Sequence, residues 1–157
     1  MSFITISQYF NRLNSALFLL LILPLLVFIA LYFFPAEMPP DPHGDYFVII
    51  PSAALVDWLV ATIIFNKKIK SVRNAQGLGA KLDKYFAITI VRYSILTSVG
   101  LLLALGFFLS RSDVFSALYV VSLVLSATYW PAPSRVCKDL MLKGDEREMV
   151  YYKKDRF

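Results

Sequence analysis

The chain has 157 residues, of which 58% are hydrophobic and 17% charged, with one cysteine and a net charge of +5. A soluble domain with this composition would expose large apolar patches, which monomers rarely do, and a single cysteine excludes a disulfide scaffold. The composition therefore excludes a disordered chain and an ordinary cytosolic enzyme, and it predicts an integral membrane protein.

The sequence contains four apolar segments long enough to cross the hydrocarbon core, a distance that takes about 17 to 25 helical residues. These segments predict an all-α membrane protein, an antiparallel bundle of four transmembrane helices that forms one domain over residues 1–157. The predicted spans are 17–34, 47–65, 85–109 and 114–130, and a tail, 131–157, follows them.

The residues before the first span permit two interpretations. Phe3, Ile6, Phe10, Leu13 and Leu17 recur at intervals of three and four residues, with polar residues between them. This pattern is typical of an amphipathic helix that lies in the membrane interface. It fits equally well an N-terminal extension of the first span, and the sequence does not separate the two.

Charge differs sharply between the connections. The first connection, 35–46, holds acidic residues and neither Lys nor Arg, whereas the second, 66–84, and the tail are basic. Because positive charge near span ends stays inside, we predict that both termini and the second connection are cytoplasmic, in the cytoplasmic (inner) membrane of a bacterium. The basic residues are expected to contact anionic lipid headgroups, not nucleic acid. They are Lys67, Lys68, Lys70, Arg73, Lys81, Lys84, Arg135 and Lys138.

Two charged residues fall inside predicted spans. Asp57 precedes Asn66 by nine residues and Arg92 follows Lys84 by eight, which places them roughly 13 and 12 Å from the cytoplasmic span ends. Pairing would offset much of the cost of placing each charge in lipid. Three interpretations remain open: a proton, ion or substrate site, a structural clasp between helices, or a contact with another subunit.

Small and polar residues recur at helical spacing on the last two spans. Such a face is typical either of a hydrated pathway or, more often, of helices that approach closely and exchange hydrogen bonds. We favour packing. The residues are Thr89, Tyr93 and Thr97 on the third span, and Ser116, Tyr119, Ser122 and Ser126 on the fourth.

The tail begins with Pro131 and Pro133, which are expected to turn the chain away from the fourth span. Ser134 then predicts the start of a short surface helix that continues to Leu142, and Gly144 is expected to end it. The remaining tail, 144–157, mixes charged and aromatic residues. It is interpreted either as a mobile charged segment or as a segment that docks onto a protein surface.

No arrangement typical of a catalytic, metal or cofactor site occurs in the sequence. His43, the only histidine, lies in a proline-rich turn and is interpreted as solvated rather than as a metal ligand. Cys137 is interpreted as a reduced thiol, with lipid attachment as the alternative. We therefore expect no cofactor and no metal, and we favour a role other than catalysis.

The favoured function is that of a small accessory, assembly or scaffold subunit of a larger membrane complex. Its partners would be other membrane subunits, copies of itself and the lipid bilayer. The alternative is a transporter or channel component, for ions, protons or a small solute, that uses Asp57 and Arg92. A third, weaker interpretation is a lipid-modifying membrane enzyme.

Overall fold

In a computed structural model, residues 5–34 and 44–154 are described, and they fold into helices joined by short turns. Residues 35–43, which include His43 and most of the predicted first connection, lie outside the described residues. The helices are α1 (Ile6–Phe33), α2 (Tyr46–Arg73), α3 (Leu78–Ser110), α4 (Asp113–Thr128), α5 (Pro133–Asp139) and α6 (Gly144–Tyr152).

Helix length and composition confirm the predicted helical membrane architecture at a coarse level. Three helices, α1, α2 and α3, are long and apolar enough to cross a membrane. Helix α4 has 16 residues, about 24 Å at 1.5 Å per residue, which is shorter than a typical hydrocarbon core of about 30 Å. It is a candidate span together with α5, from which it is bent by 75°.

Helix α3 is the central element, because α1, α2 and α4 each make their extensive contacts with it. Helix α1 runs parallel to α3: Thr97 Oγ1 donates a hydrogen bond to the Leu20 carbonyl, and Arg111 Nη1 donates one to the Leu31 carbonyl further along both helices. Helices α2 and α4 run antiparallel to α3. The predicted four-helix bundle is not confirmed, since α4 does not pack extensively on α1 or α2.

Two glycines of α3 permit this close packing. A Cβ atom at Gly100 would lie 2.9 Å from the Cβ of Pro24 in α1, and one at Gly106 would lie 2.3 Å from Cε1 of Phe115 in α4. Both distances are shorter than carbon atoms tolerate, so each glycine is required by the approach of a neighbouring helix.

The first turns of α1 are part of a protein core and do not form a separate interfacial helix. Helix α1 is continuous from Ile6, and Tyr9, Phe10, Leu13 and Leu17 are fully buried in one cluster with residues of α2, α3, α5 and α6. Of the two interpretations of this segment, the continuous helix agrees with an extension of the first span. The apolar face of these turns is covered by protein.

The tail forms two helices instead of one. Helix α5 ends at Asp139, earlier than predicted, and Gly144 begins α6 instead of ending α5. Met141 and Gly144 have φ values of 53° and 52°, so the chain turns sharply between the two helices. Val150 of α6 is completely buried. The described part of the tail therefore docks onto its own chain.

Candidate functional site

The structure does not bring the two charged residues of the predicted spans together. The Asp57 carboxylate accepts a hydrogen bond of 2.9 Å from the hydroxyl of Ser98. The Arg92 guanidinium lies over two aromatic rings, 4.6 Å from the ring centroid of Phe65 and 3.9 Å from that of Tyr129. The predicted Asp57–Arg92 pair is therefore not formed.

Side-chain direction explains this difference. Side chains on a helix lean toward the N-terminus of their own helix. Because α2 and α3 are antiparallel, the side chains of Asp57 and Arg92 lean in opposite directions along the helix axes. Asp57 reaches Ser98, which lies six residues beyond Arg92 in α3, or about 9 Å along the axis. Similar depths of the two Cα atoms are therefore not sufficient for an ion pair.

Arg92 lies in an aromatic environment, and no carboxylate of the described residues pairs with it. Its side chain is buried, and its Nε has no hydrogen-bond partner. The titratable groups that act on it are Tyr85, Tyr93, Tyr129 and Arg135. Arg135, at the start of α5, also lies over Tyr129, 5.1 Å from its ring centroid. Two cations therefore face one tyrosine ring near the end of α4.

Most of the hydroxyl groups on the predicted polar faces of α3 and α4 donate hydrogen bonds to backbone carbonyls, either of a neighbouring helix or of their own. The Tyr93 hydroxyl donates to the carbonyl of Ser126, at 3.0 Å, and so links α3 to α4. Thr97 donates to a carbonyl of α1, while Ser122 and Ser126 donate to carbonyls within α4. Thr89, Ser116 and Tyr119 are buried or half-buried, and the Tyr119 ring stacks on that of Phe28, with centroids 4.4 Å apart.

An apolar groove of about 240 Å³ opens between α2 and α4, with α3 as its floor. Nothing in the sequence predicts this groove. It depends on the side of α3 that each neighbouring helix occupies, and no pattern within a single helix carries that information. Among the residues that line it are Ala54, Leu55 and Trp58 of α2, Leu103 of α3, and Val121 and Leu125 of α4.

The basic residues predicted to contact lipid headgroups fall into two groups. Arg73 Nε donates to the carbonyl of Asp139, Lys81 forms a 2.7 Å ion pair with Glu146, and Arg135 donates to the carbonyl of Thr128. The other predicted contacts are exposed: Lys67, Lys68, Lys70, Lys84 and Lys138.

Cys137 lies in α5 and is buried by the tail. Its thiol donates a hydrogen bond to the carbonyl of Arg147 in α6, with an S···O distance of 3.7 Å. Burial raises the pKa of the Cys137 thiol. Because the thiolate is the nucleophilic form, this thiol is poorly placed for lipid attachment.

These helices and their apolar surfaces define a helical integral membrane protein. Within residues 5–34 and 44–154, no group of three or more His, Cys, Asp or Glu residues is placed to hold a metal ion. Comparison of the chain with protein-family models, curated proteins and solved structures finds no match. Its function is therefore inferred from the geometry of its own residues.

Proposed function

We propose that this chain is a non-catalytic accessory or assembly subunit of a larger membrane complex. In this proposal, a transmembrane helix of a partner subunit occupies the groove between α2 and α4. The observation that carries it is the incomplete packing of α4. Since α4 makes its extensive contacts with α3 alone, the facing apolar walls of α2 and α4 are not covered by the rest of the described chain.

The lining of the groove favours a helix over an ion or a solute. An ion pathway through a membrane requires polar groups along its walls. Among the described residues that line the groove, the polar groups on side chains are the indole N–H of Trp58 and the hydroxyl of Ser122, and that hydroxyl is bonded to the carbonyl of Tyr119. Ala54 and Ser122 are small residues of the kind that let membrane helices approach closely. The separation of Asp57 from Arg92 also removes the pair on which a transporter would depend.

Filling the groove is expected to displace the partner helix. Val121 lines the groove and is 53% exposed, so a Val121→Trp side chain fills the groove without disturbing the contact of α4 with α3. We expect the recovery of co-purified partner after gentle detergent extraction to fall about tenfold, since a clash of this kind costs more than 1 kcal/mol. Recovery is measured by quantitative mass spectrometry of the affinity-purified chain.

The matched control is Val124→Trp. Val124 lies on the same helix and is 59% exposed, but it does not line the groove. It adds the same indole to the lipid-facing surface and is expected to leave partner recovery unchanged. The proposal is contradicted if both variants lose the partner equally, or if the extracted wild-type chain is a monodisperse monomer that carries only lipid.

We also propose that α4 crosses the membrane and that both termini are cytoplasmic. The start of α1, the turn between α2 and α3, and the tail helices lie at one end of the molecule. This follows from the contact of the Tyr9 and Phe86 rings, whose centroids are 6.2 Å apart, and from the Lys81–Glu146 ion pair. The exposed lysines of α2 lie at this same end of the molecule. Because positive charge near span ends stays in the cytoplasm, they support a cytoplasmic location for this end.

Cysteine labelling of intact cells tests this orientation. In a Cys137→Ala background, a membrane-impermeant maleimide is expected to label Asp113→Cys, at the opposite end, and to leave Lys68→Cys unlabelled. Both side chains are exposed on the protein surface, so a difference in labelling reports the side of the membrane and not burial in the protein. Lysis should make Lys68→Cys reactive. Labelling of Lys68→Cys in intact cells would contradict the proposed orientation.

A further inference from the structure

Two arginines from different helices meet at the ring of Tyr129. Their guanidinium carbons lie 3.9 Å (Arg92) and 5.1 Å (Arg135) from the same ring centroid, and so within about 9 Å of each other. Arg92 comes from α3 and is only 6% exposed, whereas Arg135 comes from α5 and is half-buried. Helix packing therefore brings two permanent positive charges to the same tyrosine ring.

No carboxylate of the described residues balances these charges. Among the described residues, neither arginine forms an ion pair there, and the Nε of Arg92 has no hydrogen-bond partner. Arg135 donates to the carbonyl of Thr128, at the end of α4. Contact with aromatic rings stabilises a guanidinium but uses none of its N–H donors, so the ring contacts leave both arginines able to donate to an anion.

We propose that Arg92 and Arg135 together bind a phosphate group, carried either by an anionic phospholipid headgroup or by a soluble phosphate compound. A guanidinium presents a planar fork of donors that matches two phosphate oxygens. With such hydrogen bonds, the phosphorus lies about 4 Å from each guanidinium carbon. Two guanidinium groups that donate to one phosphate are therefore at most about 8 Å apart, a spacing within the limit of about 9 Å that the shared ring sets.

The position of the pair fits a phosphate at the membrane surface. Arg92 and Arg135 flank the residue at which α4 ends. The next residue, Trp130, contacts the Tyr93 ring, with centroids 6.2 Å apart. Tryptophan and tyrosine rings are typical of the headgroup level of a bilayer. The site thus combines the buried Arg92, the more accessible Arg135 and aromatic rings at the expected level of the lipid headgroups.

Binding to the purified full-length chain tests this proposal. Native mass spectrometry measures the affinity for phosphatidylglycerol and for phosphatidylcholine, and a thermal shift in detergent measures the response to inorganic phosphate. Arg135→Gln removes the accessible donor fork, and Arg92→Lys keeps a charge but removes the planar fork. The control is Lys138→Gln, which removes an exposed positive charge from the same helix as Arg135.

We expect Arg135→Gln and Arg92→Lys to weaken binding about tenfold, and Lys138→Gln to change it less than twofold. If the loss affects phosphatidylglycerol, the phosphate belongs to a lipid headgroup. If it affects the thermal shift by inorganic phosphate alone, the phosphate is soluble. If Arg135→Gln binds both probes as Lys138→Gln does, including no binding at all, the arginines only cap the end of α4 and the proposal is overturned.

Discussion

Replacing Gly106 with valine is expected to lower the free energy of unfolding by about 2 to 3 kcal/mol. A Cβ atom at this position would lie 2.3, 2.4 and 2.9 Å from three ring carbons of Phe115. Phe115 is fully buried, and its ring also packs against that of Phe47, with centroids 5.4 Å apart. The ring therefore has no space to move, and α4 must shift away from α3.

Gly79 provides the control for this substitution. It lies in the first turn of the same helix, and a Cβ atom there has no neighbour within 4 Å. Gly79→Ala is expected to leave stability unchanged or to raise it by about 0.5 to 1 kcal/mol, because alanine has less conformational entropy to lose in a helix. Unfolding in mixed micelles, titrated with denaturing detergent, measures both variants. Equal stability of Gly106→Val and wild type would contradict the close packing of α4 on α3.

The membrane helices were predictable because their signal is local. A run of apolar residues long enough to cross a bilayer identifies α1, α2 and α3 without knowledge of their neighbours. Their limits were less accurate, and α3 begins at Leu78 instead of at residue 85. Its first turns alternate buried and charged residues, such as Leu82 and Lys84, because they pack against protein and face water on the other side.

The arrangement around Arg92 could not be read from the sequence, because it depends on three helices at once. Counting residues from the span ends gives the depth of a Cα atom but not the direction of its side chain. Phe65 of α2 and Tyr129, which directly follows α4, both contact Arg92, and neither carries a signal in the sequence that links it to Arg92. The same holds for the groove between α2 and α4. Contacts within one helix, by contrast, follow from spacing alone.

The tail illustrates a second reason for failure. Glycine is common after the last helical turn, so the sequence predicts that Gly144 ends a helix. The same left-handed backbone conformation also permits a turn that leads into a new helix, and here Gly144, with a φ of 52°, begins α6. Whether such a segment docks depends on an apolar surface elsewhere in the chain. That surface includes Phe10 and Leu13, at the other end of the sequence.

Replacing Val150 with aspartate is expected to release α6 from the rest of the protein. Val150 is completely buried in the cluster that includes Tyr9 and Phe10, and burying an unpaired carboxylate there costs several kcal/mol. The Lys81–Glu146 ion pair is partly exposed and contributes little in comparison. Because α6 makes its extensive contacts with α5 alone, local undocking should precede global unfolding. We expect trypsin to cleave after Arg147 at least about tenfold faster.

Tyr152→Asp is the matched control, because it introduces the same charge into the same helix at a side chain that is 63% exposed. It should be cleaved at the wild-type rate, so that a faster rate reports loss of the apolar contact and not the added negative charge. Limited proteolysis followed by intact-mass spectrometry gives the rate at each site. If the two variants are cleaved equally fast, Val150 does not hold the tail. The docked tail would then depend on its polar contacts, Arg73 with Asp139 and Lys81 with Glu146.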